Sequence, residues 1–156
     1  MNKDISLIYL CVDASAYEDL NEIQLLLKDH GFYRDKSYIE KHIKDRLEEN
    51  LLNSKVNMLY YGAKNRAEKK DIDFNLTKDW IIENLKPGVC QITGIPFKFK
   101  YEGSNPYAPS IDRRDNFKGY TKDNCDIVLI SYNKFKSDYR IEDINHIIER
   151  MVSVVN

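Results

Sequence analysis

Between Pro109 and Asp138 the chain carries acids, amides and several cations at spacings that could assemble a metal site. Pro109-Ser110-Ile111-Asp112-Arg113-Arg114-Asp115 reads as a short strand ending near Asp112, and Lys118-Gly119-Tyr120-Thr121-Lys122-Asp123-Asn124 as a glycine-containing loop. Cys125 then opens a second strand that feeds a helix carrying Asn133 and Lys136. A β-hairpin with that helix folded back on it lets a carboxylate from the strand and an amide oxygen from the helix converge on one cation. Hard divalent ions such as Mg²⁺ take such oxygen ligands. Taken singly, Asp112 and Asn124 are ordinary turn residues of a hairpin. Their separation from Asn133 and Lys136 is what points to a site.

The rest of the chain must position this segment. With 156 residues, 42% hydrophobic and 31% charged, it has the balance of a soluble globular protein with one core, or one core and a helical extension. No apolar run approaches the roughly 20 residues that span a bilayer. The net charge of −1 argues against a protein that coats nucleic acid nonspecifically. It hides an asymmetry: residues 1–53 carry −4, residues 54–140 carry +5 and residues 141–156 carry −2. Positive charge in the middle suits a phosphate-facing module between acidic flanks. The eleven Tyr and six Phe read chiefly as packing residues, with nucleic-acid stacking the lesser reading. Cys11, Cys90 and Cys125 form no CxxC pair, so neither a disulfide framework nor a four-thiolate zinc site is expected. Ile5 to Val12 followed by Ala14-Ser15-Ala16 superficially resembles a signal peptide. Asp4 and Asp13 argue against one, and a cytoplasmic location is expected.

Helical spacing of Tyr17, Leu20, Ile23 and Leu27 predicts an amphipathic helix over 15–30, ended by Gly31. A second is expected over 37–52, with Ile39, Ile43 and Leu47 on one face, and a third over 56–70 whose late Lys64, Arg66, Lys69 and Lys70 suit either the helix dipole or DNA. Thr77 caps a fourth, running to Leu85, with Trp80, Ile81 and Leu85 as its buried stripe. From Pro87 to Lys122 all four prolines and most glycines predict turns and short strands. Ile144, Ile147, Ile148 and Met151 predict a last helix over 141–151.

From Lys55 onward the sequence resembles the HNH (ββα-metal) endonucleases, in particular their phage and restriction-type branch. The resemblance lies in Arg66-Ala67-Glu68-Lys69-Lys70, Asp73-Phe74-Asn75-Leu76-Thr77, Cys90-Gln91-Ile92-Thr93-Gly94-Ile95-Pro96-Phe97, and the Ser-Ile-Asp-Arg, Gly-Tyr-Thr-Lys-Asp-Asn and Tyr-Asn-x-x-Lys blocks, in that order. It implies an α+β protein: a ββα-metal core in residues 55–156 behind a helical N-terminal region, 1–54. It implies cleavage of DNA by metal-assisted phosphodiester hydrolysis, with Asp112 and Asn133 binding Mg²⁺ (or Mn²⁺) and Asn124 fixing the loop between the strands. Lys136, one turn after Asn133, would face the same phosphates, and Arg114, Lys118, Lys122 and Lys134 are further expected DNA contacts.

Two departures from the family pattern matter. The residue after the metal-binding Asp, a His general base in most members, is Arg113 here; a guanidinium holds a phosphate but accepts no proton at neutral pH. An Asp-Arg variant occurs among restriction-type relatives, and the catalytic role of Arg113 becomes phosphate binding with the base unassigned among His30, His42, His146, Tyr107, Tyr120 and Asp115. Where many relatives carry two CxxC zinc pairs, this chain has Cys90 with Thr93 in the partner position, so no structural zinc is expected. Apolar packing of Ile92, Ile95, Phe97, Phe99, Val128, Leu129 and Phe135 would close the core instead. One site cuts one strand, so a double-strand cutter would be a homodimer, with the N-terminal helices as its interface. Two alternatives stay open: a non-catalytic DNA-binding or inhibitor protein on a degenerate fold, and a monomeric nicking or structure-specific nuclease.

Overall fold

A computed structural model describes residues 2–16, 19–139 and 141–155. The chain divides into two compact units, Met1–Ser54 and Lys55–Asn156, and it mixes helices with one small sheet, an α+β composition. None of the described helices is long and apolar enough to cross a membrane.

The first unit is helical. The apolar run after Asp4 forms α1 (Lys3–Ala14), whose Ile8, Cys11 and Val12 are buried. Helix α2 (Leu20–Asp29) starts later than its apolar spacing suggests, because Asp19 caps it by accepting from the N–H groups of Asn21 and Glu22. Tyr17, assigned to this helix by spacing, lies outside the described residues. Ile23 and Leu27 of α2 join Ile8, Cys11, Val12, Ile39 and Ile43 in one apolar cluster. Beside it the buried Asp4 carboxylate accepts from Arg34 Nε at 2.7 Å and Tyr38 Oη at 3.1 Å, so its charge is paired.

Helix α3 (Lys36–Lys70) is one continuous helix of 35 residues where the sequence suggested two. Its stripe is buried at Ile39 and Ile43 and again at Val56, Leu59, Ala63 and Ala67, while Leu47 between them is exposed. The interruption is one of apolar periodicity only. No Gly or Pro stands between Lys36 and Tyr61, so the backbone hydrogen bonds run on.

In the second unit, Thr77 Oγ1 accepts from Trp80 N–H to start α4 (Lys78–Leu85), which buries Ile81 and Leu85 and leaves Trp80 half-buried. Strands β1 (Pro109–Arg113) and β2 (Cys125–Leu129) pair antiparallel, with Asp112 opposite Asp126 and Ile111 opposite Ile127. Opposed residues share a face, so Pro109, Ile111 and Arg113 with their partners lie on one side, and Ser110 and Asp112 with theirs on the other. Helix α5 (Ile130–Lys136) follows β2 directly and packs on both strands, and α4 packs on β2. Helix α6 (Ile141–Val155) buries Ile144 but leaves Ile147, Ile148 and Met151 exposed, so most of its apolar face is uncovered by the described residues.

The apolar closure differs from expectation too. Phe97, Val128 and Leu129 are buried, Phe99 is half-buried, and Ile92, Ile95 and Phe135 are exposed. Residues 91–96 form a turn with Gly94 at φ 69°, in which Cys90 Sγ accepts from Thr93 N–H at 3.4 Å. The turn aims the isoleucines outward, and Ile81, Leu85, Ile111 and Ile127 fill the core in their place.

Gly119 sets how the hairpin loop docks. Tyr120 N–H donates to Asp73 O at 2.8 Å, Asn75 N–H donates to Tyr120 O at 3.1 Å, and a Cβ on residue 119 would collide with Asp73 O. Gly119→Ala must therefore push two backbone segments apart. We expect it to cost about 1–3 kcal/mol, the range of overpacked sites, read as a lowered midpoint in urea. An unchanged midpoint would show that the docking is loose.

Candidate active site

Residues of β1, α5, the hairpin loop and the end of α3 line one cleft of about 460 Å³. Among them are Asp112, Arg113 and Asn133, with Arg66, Lys70 and Lys134 adding positive charge. The hairpin brings Asp112 there at the penultimate position of β1. The α5 helix brings Asn133 by folding back over the same face of the sheet: Asn133 Nδ2 donates to Ser110 Oγ at 2.8 Å and to Ile111 O at 3.1 Å. Its Oδ1 makes no hydrogen bond to the described residues, so the acceptor end of the amide is free for the cleft.

Asp112 is buried, and so is Lys136. Lys136 Nζ lies 3.0 Å from Asp112 Oδ1 and 2.9 Å from Oδ2, and it also donates to Arg113 O at 2.6 Å. Lys136 thus differs from the expected surface contact to phosphate: its ammonium is a counter-ion inside the fold. Burial pushes the Asp112 carboxyl above its usual range, against the opposing pull of Lys136 and with a further push from Asp126 across the sheet. Two acids directly opposite would repel. Each has its own cation, since Arg114 grips Asp126 through Nε at 2.7 Å and through Nη2. Arg114 is therefore occupied with a carboxylate where a DNA contact was expected, although most of its side chain is exposed.

Arg113 is buried against the loop. Its Nη1 donates to Lys118 O at 2.8 Å and its guanidinium lies 5.0 Å from the centre of the Tyr120 ring. Nε and Nη2 make no hydrogen bonds to the described residues, which leaves one edge of the fork for an anion at the cleft it lines. Asn124 is buried within the loop: Oδ1 accepts from Asp115 N–H at 3.0 Å, and Nδ2 donates to Asp115 O and Gly119 O, each at 2.9 Å. Its amide is spent on holding this loop. Lys118 is exposed, 3.5 Å from Asp115, and Lys122 is exposed and outside the cleft lining, its N–H donating to Asn75 Oδ1.

Of the candidate bases Tyr120 lines the cleft, whereas Arg66, Lys70, Asn116, Ser137 and Asp138, which also line it, were given no role at the site by sequence. Arg66 Nε donates to Tyr120 Oη at 2.9 Å, which couples α3 to the loop. The late cations of α3 were the available signal, equally readable as dipole compensation. No histidine is among the described lining residues; His30 and His42 belong to the first unit, with the His42 ring 4.5 Å from that of Tyr38. Tyr107 and Asp115 lie outside the lining as well. Burial pushes the Cys125 thiol up to about 12, so it stays protonated and serves as core.

The donor set at this cleft fits a hard divalent cation: one carboxylate and one amide oxygen, both approached from the same side of the sheet. Lys136 does not exhaust Asp112, because each carboxylate oxygen carries two acceptor positions. Among the described residues no three His, Cys, Asp or Glu side chains cluster as a ready-made cage.

No family model matches the chain. It is 38% identical over 78 residues to an uncharacterized 29.0 kDa protein in the dda-modA intergenic region of Enterobacteria phage T4, covering 50% of this chain and 30% of that protein. It is 28% identical over 95 residues to an uncharacterized protein of Acanthamoeba polyphaga mimivirus, covering 61% of this chain and 17% of that one. The chain thus spans less than a third of the length of these curated relatives. Among solved structures, the rare-cutting HNH restriction endonuclease PacI is similar with a TM-score of 0.47 at 18% identity, covering 64% of this chain and 78% of that chain. At that overlap a functional reading has to stand on the cleft itself.

Proposed function

We propose that this chain is an HNH-type, metal-dependent DNA endonuclease that hydrolyses phosphodiester bonds at the cleft between β1, α5 and the end of α3. The observation that carries the reading is the convergence of Asp112, Arg113 and Asn133, from the strand and the helix that follows the hairpin, on one cleft walled by Arg66, Lys70 and Lys134. Asp112 and Asn133 would hold Mg²⁺ or Mn²⁺, which supplies charge neutralisation at the scissile phosphate and its departing oxygen. Arg113 offers its free edge to a phosphate oxygen, and Arg66, Lys70 and Lys134 hold the flanking backbone. Lys136 keeps the Asp112 carboxylate oriented. Asp138, the other carboxylate among the described lining residues, makes no hydrogen bond to them, and we assign it the proton of an attacking water. Cleavage of both strands requires two such sites, which we assign to a homodimer.

One observation favours a second reading, a DNA-binding protein without activity: the metal-ligand candidate Asp112 is already paired with Lys136. Supercoiled plasmid separates the two. With Mg²⁺ or Mn²⁺ we expect nicked and then linear product, abolished by EDTA with no loss of helical circular dichroism, since the metal serves chemistry and not folding. Plasmid that is bound and shifted but stays intact at every metal concentration would establish the second reading.

A further inference from the structure

We infer that Phe117 is a wedge that stacks on, and partly separates, bases of the nucleic acid held at the cleft; this rests on the DNA reading above. Phe117 is 98% exposed at the tip of the loop between β1 and β2. A ring of that size ordinarily goes to the interior. Here the backbone beneath it is fixed on every side. Its own N–H donates to Asp115 Oδ1 at 2.9 Å, and Asp115 is in turn held by Asn124. Asn116 Nδ2 donates to Ser137 O at 3.1 Å, which ties the residue before the ring to the end of α5. Arg113 Nη1 fixes the carbonyl of Lys118, the residue after it.

Asn116, the residue before the ring, and Arg113, which holds the carbonyl after it, both line the cleft, so the ring is carried on a loop that borders the cleft. The ring's immediate neighbours in sequence are polar: Asn116 before it, and after it the exposed Lys118, whose ammonium lies 3.5 Å from Asp115. A protein partner would call for a contiguous apolar patch. A fully exposed aromatic ring on a braced loop, beside a cleft lined by Arg66, Lys70, Arg113 and Lys134, matches what nucleic acid offers: phosphates for the cations and an exposed π-face for the ring.

The test compares the full-length protein with Phe117→Ala and Phe117→Trp on a mixed-sequence duplex, with Ca²⁺ in place of Mg²⁺, across a salt series. We expect Phe117→Ala to melt like wild type and to bind about five- to hundredfold more weakly, the range of one lost stacking contact. Its slope of log affinity against log salt should be unchanged, because no phosphate contact is removed. Phe117→Trp should bind like wild type, and its fluorescence, corrected for the native Trp80, should be quenched on binding. Equal affinity of Phe117→Ala with no quenching in Phe117→Trp would overturn the wedge while leaving the DNA reading intact. A wild-type protein that binds no duplex at any salt would remove both. A wild-type dimer that Phe117→Ala converts to monomer without DNA would assign the ring to a second copy of the chain and overturn the wedge.

Discussion

Asp112→Asn should lower plasmid cleavage by on the order of a hundredfold to a thousandfold, the scale seen when one group stabilising charge in a transition state is removed. The choice of Asn matters. Asp112→Ala would delete the partner of a buried ammonium, and lost activity would then be confounded with lost structure. The amide of the Asp112→Asn variant would keep an oxygen for Lys136 Nζ, so the ammonium loses its counter-ion but not its hydrogen bond and less stability is lost than in Asp112→Ala, while the negative charge that attracts a cation is gone. Asn133→Ala should lose activity to a similar degree, with a modest loss of stability from its hydrogen bonds to Ser110 and Ile111. Because both side chains would serve one cation, the double variant should be hardly worse than either single one, whereas independent residues would multiply their effects. Plasmid time courses with parallel thermal melts measure this. Wild-type cleavage by Asp112→Asn would move the metal away from this strand and remove the HNH assignment of the segment.

The order of local elements is legible in the sequence because it depends on neighbours along the chain. Thr77 announces α4, and the short segments on either side of the glycine-containing loop at Gly119 announce two strands with a turn between. Expectation and structure part where tertiary context decides. The break expected between residues 52 and 56 is a gap in burial, and an exposed stretch of helix looks the same in sequence as a linker rich in Lys, Glu and Asn. Ile92 and Ile95 have the residue type of a core, yet the turn at Gly94 aims them outward. The site shows the same limit. Asp112, Arg113 and Asn133 stand out because their blocks are close together, whereas Arg66 and Lys70 reach the cleft from a helix more than forty positions earlier. Nothing in the one-dimensional string says which of the cations from Arg113 to Lys136 is internal. Lys136 is the least expected of them, since lysine is almost never fully buried unless paired.

That pair carries the largest expected effect on stability. Lys136→Met keeps much of the aliphatic volume but leaves the Asp112 carboxylate buried without its cation, and Arg113 O without its donor. Removing one partner of a buried pair costs about 3–5 kcal/mol. The loss should depend on pH with a definite sign. Burial already raises the Asp112 carboxyl in the folded protein, and without Lys136 it should rise further. A carboxyl raised on folding favours its protonated form, so its penalty is absent below its unfolded range near 3.8 and grows as pH climbs through the raised folded value. The deficit of Lys136→Met against wild type should therefore be small in acid and largest at neutral pH. Asp112→Asn combined with Lys136→Met should recover most of it, because a neutral amide needs no counter-ion. If Asp112 also carries a divalent ion, Mg²⁺ or Mn²⁺ should raise the melting temperature of Lys136→Met more than that of wild type, the metal supplying the missing positive charge. Urea or thermal melts from acid to neutral pH, with and without metal, read all of this. A variant as stable as wild type at neutral pH would mean that Lys136 and Asp112 are not paired in solution.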